Sequence, residues 1–375
     1  MNHRHLIRVL SGIVAICAGV SANAASSGPV TMKFSGFIEG YYGYNFNKPS
    51  NNLTFPRQFD YKDNLARINN ATVHGEFTFA GLSDLKLKTT FWLGDNADIF
   101  YDGDTAKEPW ARNFRQFYLS YSTAGDVPIT IDFGKFDTWI GYEVTDSVDN
   151  INSSRGVIYT LGIPAYHSGI RATAKLTDKF ELGVAAVQGW NESANGDKEN
   201  SYGVWFKSSL DSKTNAVLSY YTGKEGNDTK TNGLGSFGGI AFGTAGLTNL
   251  HLINFNGSRT VSDKLSLGWD SVYASAVDGP NSGKWSGVAF FANMTLDEKR
   301  TVAGRFEMFD DADGLRTGTA SRISSFTGTY SYKVNPNLRV RGEVRRDWSD
   351  KPVFVSDTGV RKFQLTGLLA AEYKF

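Results

Sequence analysis

Apolar and polar residues alternate along most of this chain, and the alternation is clearest in its last segment, KFQLTGLLAAEYKF. Every second position there is apolar or glycine: Phe363, Leu365, Gly367, Leu369, Ala371, Tyr373 and Phe375. A period of two residues is that of a β-strand rather than a helix. A strand with one apolar face and aromatic residues at its tip suits a closed barrel in lipid, whose apolar face points outward. The alternative is an edge strand of a soluble sheet.

The same period recurs along the chain and predicts about sixteen strands. They are placed at residues 30–46, 67–79, 85–94, 113–122, 129–135, 167–176, 180–190, 201–210, 215–222, 248–257, 265–275, 284–296, 301–309, 322–333, 338–347 and 363–375. Short connections, rich in turn-forming residues, alternate with longer polar ones. We therefore predict an all-β fold, a transmembrane antiparallel up-and-down barrel with short periplasmic turns, long external loops and an aqueous interior.

The N-terminal segment has a different pattern. Arg4 and Arg8 precede an apolar run at residues 9–20, and a small-x-small sequence ends at Ala24. This arrangement predicts a secretory signal peptide over residues 1–24 and a barrel domain over residues 25–375. The only cysteine is Cys17, so the mature protein is expected to have neither a disulfide nor a thiolate metal site.

Composition narrows the class of protein further. The mean hydropathy of −0.31 argues against transmembrane helices but not against a barrel, since only half of the residues of each barrel strand face lipid. Glycine is abundant, with 40 residues, and aromatic residues make up 14%, which fits a large antiparallel β-protein. The 39 basic and 38 acidic residues stay close to balance after Arg4 and Arg8 are removed, which argues against nucleic acid as a partner.

Residues suited to catalysis or metal binding are sparse. The mature histidines, His74, His167 and His251, fall on three different predicted strands. A barrel hydrolase acting on lipid or peptide would need a Ser–His pair with an orienting amide or carboxylate, and it is the second hypothesis for function. Oxygen-rich segments at residues 146–152 and 310–314 do not match calcium-loop spacing, and we predict that both are turns in external loops. No catalytic residue, cofactor or metal is therefore predicted.

The longest connection, residues 136–166, is unusually rich in apolar and aromatic residues. These are Trp139, Ile140, Tyr142, Val157, Ile158, Tyr159 and Leu161. We expect this connection to fold into the barrel and narrow the lumen; a cap over the external rim, or a contact between subunits, is the alternative. Its charged residues are the predicted constriction residues: Asp137, Glu143, Asp146, Asp149 and Arg155.

The arginines of the predicted wall face the same lumen. On residues 338–347 the apolar positions alternate with Arg339, Arg341 and Arg345, which would each cost roughly 2–4 kcal/mol if they faced hydrocarbon. The same parity places Arg171 and Arg305 inward. We expect these five arginines to oppose the loop acids across a narrow water gap and to create a transverse field there. A salt-bridge lattice that holds the wall together is the alternative.

Several short motifs resemble one protein family. They are Phe133-Gly134-Lys135-Phe136-Asp137-Thr138, Gly141-Tyr142-Glu143, Asp149-Asn150, Pro164, His167-Ser168-Gly169-Ile170-Arg171 and Gln188-Gly189-Trp190-Asn191. Together they resemble the OmpL-like "putative β-barrel porin-2" family. The resemblance implies an outer-membrane barrel that conducts small solutes.

The sequence thus predicts a porin in the bacterial outer membrane, a passive diffusion channel for small hydrophilic solutes and ions. Its expected partners are outer-membrane lipid, those solutes, and the barrel-assembly machinery, because the ending at Phe375 resembles the signature by which such barrels are recognised. A homo-oligomer is expected only by analogy with porins of this size. A secreted soluble β-protein, such as a sandwich or lectin, is the third hypothesis.

Overall fold

The computed structural model describes residues 30–104, 108–194, 199–225, 236–237, 240–241, 249–278 and 281–375. The predicted signal peptide at residues 1–24 lies outside these ranges. Within these ranges the longest helix is α1 (Asp95–Gly103). Short helical turns occur at Pro109–Arg112, Ser147–Asp149 and Ile158–Gly162. Of the helices within the described ranges, none is long and apolar enough to span a bilayer.

Sixteen antiparallel strands form a closed barrel. They are β1 (Val30–Asn45), β2 (Leu65–Phe79), β3 (Leu82–Leu93), β4 (Phe114–Ser122), β5 (Ile129–Asp137), β6 (Tyr166–Lys175), β7 (Phe180–Val187), β8 (Ser201–Asp211), β9 (Thr214–Lys224), β10 (Asn249–Thr260), β11 (Leu265–Asp278), β12 (Asn281–Thr295), β13 (Arg300–Asp311), β14 (Ser321–Lys333), β15 (Leu338–Ser349) and β16 (Phe363–Lys374). The last strand pairs with the first, from Phe37 opposite Lys374 to Asn45 opposite Thr366. The predicted fold is confirmed, and each predicted segment overlaps one strand.

The two ends of the barrel differ in their connections. The turn end carries the short connections, at residues 80–81, 123–128, 176–179, 212–213, 261–264, 296–299 and 334–337. The loop end carries the longer ones. One connection predicted to be long is instead short, because β11 and β12 extend until Asp278 pairs with Asn281. Two further short hairpins belong to the loop end, Ser236–Phe237 with Ile240–Ala241, and Phe354–Ser356 with Gly359–Arg361.

Alternation along each strand decides which side chains face outward. On β15, Val344 is 59% exposed on the outer face, whereas its neighbour Arg345 is 1% exposed inside the barrel. On β16, Leu369 is exposed and Glu372 is buried. The outer face is therefore apolar and the inner face polar, which is the reverse of a soluble protein and suits a lipid solvent.

A hydrophobic cluster fills the interior near the loop end. Loop residues such as Phe59, Phe100 and Tyr159 meet inward wall residues such as Trp92 and Trp285. The rings stack closely; the centroids of Phe59 and Phe100 are 5.7 Å apart. The barrel therefore has a packed core of its own, in addition to its polar inner wall.

Candidate pore constriction

The connection between β5 and β6, residues 138–165, crosses the interior of the barrel, and we call it the constriction loop. The backbone N–H of Gly141 donates to Asn254 on β10 (3.2 Å), and that of Tyr142 donates to Asp270 on β11 (2.9 Å). Further along, the Asn152 side-chain amide donates to Thr329 on β14 (2.7 Å). A loop that leaves β5 and contacts β10, β11 and β14 lies across the interior.

The ion pair of Glu143 and Arg305 fastens the middle of the constriction loop to β13. Arg305 Nη1 lies 2.6 Å from Glu143 Oε1, and the two side chains are 0% and 5% exposed. The same nitrogen donates to the Ser154 carbonyl oxygen (2.7 Å), and Nε lies 2.9 Å from Glu307. Burial raises the pKa of the Glu143 carboxyl, an effect that the Arg305 guanidinium opposes.

Glu143 also closes the loop on itself. Its Oε2 accepts a hydrogen bond from the backbone N–H of Gly156 (2.7 Å). A Cβ at Gly156 would overlap the Glu307 carboxylate, so the close approach of loop backbone and wall requires glycine at this position.

A second anchor joins Asp146 of the loop to Arg115 on β4. Arg115 donates to both carboxylate oxygens of Asp146 and lies 3.2 Å from Asp137, while the Nε2 atom of His74 is 3.5 Å from Asp146. Burial raises the pKa of the Asp146 carboxyl, but the guanidinium outweighs burial and holds that pKa below its ordinary value. This is a bidentate, charge-assisted contact.

Arg115 was not among the sequence-predicted site residues. Simple alternation would place it on the outer face with Phe117. The pairing of β3 with β4 shifts by one residue, with Thr90 opposite Gln116 and Phe91 opposite Phe114, so Arg115 is the extra residue of a bulge. A bulge redirects a side chain, and the sequence pattern alone gave no sign of it.

Polar groups of β15 hold the loop backbone. Arg341 donates to the carbonyl oxygens of Ser147 and Asn150, and Arg345 donates to that of Arg155. Arg339 donates to the carbonyl oxygen of Val148 and pairs with Glu372. Glu343, which is not among the sequence-predicted site residues, accepts the N–H groups of Ser153 (2.7 Å) and Ser154 (3.1 Å). The arginine row on this strand therefore binds the loop.

The remaining predicted site residues have different surroundings. Arg155 is buried, stacks 4.7 Å from the Phe59 ring centroid and donates to loop carbonyl oxygens. Arg171 lies apart from the other four wall arginines, 2.8 Å from Asp132. Asp149 pairs at 3.1 Å with Lys374, and both side chains are exposed.

Two expectations are corrected by these contacts. Glu143 and Arg305 are in direct contact and buried, so they do not face each other across a water gap; the expected transverse field does not arise at this pair. Asp311 was placed in an external turn, but it is a buried inward residue of β13 that accepts the backbone N–H groups of Arg316 and Thr317. Asp311 therefore stabilises the backbone of the connection between β13 and β14 at the loop end.

The three histidines have different surroundings, and His251, which is exposed on β10, contacts Tyr220 and Thr222. His74 contacts Thr90 (3.1 Å) and lies near Asp146, but Thr90 is buried and receives a hydrogen bond from Gln116, while Asp146 is bound to Arg115. His167 stacks on Trp139 (4.5 Å). Across the same described ranges, no group of three or more His, Cys, Asp or Glu side chains could hold a metal ion.

A closed sixteen-stranded barrel with an apolar exterior and a long loop packed inside defines the class of outer-membrane porins. The family model described as "Putative beta-barrel porin-2, OmpL-like" matches residues 31–375, so the chain belongs to this family. The predicted resemblance is confirmed, and the protein is an outer-membrane porin. A comparison with curated proteins found no match.

Solved structures of outer-membrane proteins share the fold. The outer membrane channel DcaP of Acinetobacter baumannii is 14% identical and has a TM-score of 0.62, over 93% of this chain and 99% of that chain. The outer-membrane expressed OmpT of Vibrio cholerae is 13% identical, with a TM-score of 0.61 over 93% and 99%. An anion-selective porin from Comamonas acidovorans is 11% identical, with a TM-score of 0.58 over 92% and 100%. At these identities the likeness concerns the fold.

Proposed function

We propose that this porin is a passive diffusion channel for small hydrophilic solutes and ions, and that the constriction loop sets its conductance. The observation that carries this proposal is the buried ion pair between Glu143 of the loop and Arg305 of the wall. A loop fixed at that point blocks part of the cross-section of the barrel, through which solutes would otherwise pass. Channel function then depends on the width left beside the loop and on the charge that lines it.

We place the narrowest level of the pathway at Arg115, Asp137 and Asp146. Below this level, toward the turn end, inward side chains such as Lys86 and Arg171 are partly exposed to water. At this level Arg115 is fully buried, and beyond it Trp92 belongs to the interior cluster. Movement of the loop segment around Asp146 would widen this level, while the Glu143 anchor limits how far the rest of the loop can move.

The same proposal includes a homo-oligomer. One of the similar solved structures is a trimer form of OmpT. On the outer face of this barrel, a depression of about 810 Å³ lies where the first and last strands meet, lined by residues such as Gly40, Tyr42, Ile68, Tyr330 and Leu369. An apolar concave surface of this kind is suited to a second copy of the chain or to lipid, and cross-linking in the membrane followed by gel analysis distinguishes the two.

Recording from purified protein in a planar lipid bilayer tests the proposed function. We expect discrete steps of ion conductance from a protein whose gel mobility changes on boiling, as a folded barrel requires. A folded, inserted protein without conductance would contradict the proposal. For the barrel-hydrolase alternative, turnover of a quenched lipid or peptide substrate, lost on substitution of His74, would be the opposing result.

A further inference from the structure

The space inside the barrel between the constriction loop and the turn end is here called the vestibule. It is lined by more basic than acidic side chains. Inward-facing basic side chains on its wall and rim are Lys33, Lys86, Lys88, Arg171, Lys175, Lys207, Lys333, Arg339 and Lys374. The water-accessible acidic ones are Glu76, Asp84, Asp149 and Glu181, whereas Asp132 is buried beside Arg171. Glu39 and Glu372 also face inward but are buried. Basic groups therefore predominate where solutes have access.

Two cross-strand rows show how this excess arises. In the first, Glu76 on β2 lies directly opposite both Lys33 on β1 and Lys88 on β3. In the second, Glu181 on β7 lies opposite both Lys175 on β6 and Lys207 on β8. Each row thus sets one carboxylate between two amino groups and leaves a net positive charge. The third charged row has no net charge. It runs across neighbouring strands from Lys333 on β14 to Arg339 on β15, Glu372 on β16 and Glu39 on β1, so two basic side chains are matched by two acidic ones.

The existing ion pairs leave several lysines of the rows available. Glu76 binds Lys86 at 3.0 Å, Asp132 binds Arg171 and Asp149 binds Lys374. Lys33, Lys88 and Lys207 form no ion pair with another described residue, in contrast to the lysines already engaged. Their positive charge is therefore directed at the solvent of the vestibule.

Lys88 is the innermost of these three lysines. Its Nζ lies 6.0 Å from the centroid of the Tyr118 ring, and the guanidinium carbon of Arg171 lies 5.7 Å from the same centroid. Arg171 also donates to the carbonyl oxygen of Asp137, at the level where we place the constriction. A solute that reaches the constriction from the turn end therefore passes Lys88 and Arg171.

We infer that the vestibule makes this channel selective for anions, and that its solutes are small organic anions bearing carboxylate or phosphate groups. This inference rests on the proposed function as a diffusion channel. Walls of low dielectric focus the field of Lys33, Lys88 and Lys207 and raise the local concentration of anions. Salt at about 0.1 M limits the reach of each charge to roughly 10 Å, so charges distributed around the wall are needed to cover the opening.

Reversal potentials across a bilayer with a KCl gradient test the inference. We expect the native protein to favour chloride over potassium, and the triple variant Lys33→Gln, Lys88→Gln, Lys207→Gln to lower the anion-to-cation permeability ratio by about threefold or more. Neutral glutamines avoid placing new carboxylates beside Glu76 and Glu181. Inorganic phosphate added on the turn side should reduce chloride current in the native protein more than in the variant.

A matched control uses lysines outside the lumen. Lys213, Lys264 and Lys299 are exposed residues of the short turns, and their replacement by glutamine changes the net charge by the same amount. This variant should keep the native selectivity, and both variants should show the gel shift on boiling of a folded barrel. Cation preference in the native protein, or equal effects of the two triple variants, would overturn the inference alone. A folded protein without conductance would overturn the proposed function together with it.

Discussion

Replacing Glu143 by alanine tests the role of the constriction loop directly. In the variant, Arg305 keeps its contact with Glu307 (2.9 Å) and with the Ser154 carbonyl oxygen (2.7 Å), but the charge that joins it to the loop is lost. The N–H group of Gly156 loses its acceptor as well. Both changes act on the docked loop, because Glu143 belongs to the loop and Arg305 to the wall.

The expected magnitude follows from burial. Removing one partner of a buried ion pair costs about 3–5 kcal/mol, because the remaining charge stays in a medium of low dielectric. That cost includes the loss of the acceptor for the Gly156 N–H, which by itself destabilises the docked loop by about 1–3 kcal/mol. Since each 1.4 kcal/mol is about tenfold in an equilibrium constant, the ratio of docked to undocked loop should fall about a hundredfold or more.

Single-channel recording provides the assay. We expect Glu143→Ala to show a larger unit conductance, or a larger share of time in a high-conductance level, than the native protein. Glu143→Gln retains an acceptor for Gly156 and should have a smaller effect. Asp310→Ala is the control, since Asp310 forms an exposed pair with Arg322, and such pairs contribute roughly 0–1 kcal/mol. If Glu143→Ala folds, inserts and conducts as the native protein does, docking at Glu143 does not control conductance.

Three further predictions concern the loop, pH and assembly. Deleting residues 145–154 should raise unit conductance and retain the anion preference, because the vestibule lysines remain while Asp146 and Asp149 are removed; unchanged conductance would place the loop outside the pathway. The lowered pKa of Asp146 means that its contact with Arg115 stabilises the docked loop above the ordinary carboxyl pKa of 3.8 and is lost as pH falls through the lowered value. Conductance should therefore rise below about pH 3.8, and Asp146→Asn should abolish that transition. Phe375→Asp should reduce membrane insertion far more than Lys374→Ala, and equal yields would contradict a role for the terminal aromatic residue.

The structure explains why the terminal phenylalanine is expected to matter. Its backbone N–H and carbonyl both pair with Gly36 of β1 at 3.0 Å, and its ring covers Gly36, where a Cβ would overlap the ring. Phe375 therefore contributes to the seam that closes the barrel. Recognition by the assembly machinery is a separate proposal, and it predicts slower insertion even where the folded barrel remains stable.

The sequence by itself determined the strands, their order and the faces of most of them. On β15 the alternation of Val340 and Val344 with Arg341 and Arg345 directs the two valines outward and these two arginines inward. This information is local, because a period of two residues and a turn sequence are complete within a few positions. The inward direction of Arg171 and Arg305 followed from the same local rule.

Only the tertiary structure decided which charged groups meet. Glu143 and Arg305 are separated by 162 residues, and their contact depends on the path of the loop through the interior. Arg115 faces Asp146 because of a bulge that breaks the alternation. Glu343 binds backbone N–H groups of the loop, and no pattern of side chains in the sequence identifies those groups as its partners. A repeating pattern predicts whether a side chain of the barrel wall points inward or outward. The group that an inward side chain binds depends on the shape of a non-repeating loop, and the packing of the whole interior determines that shape.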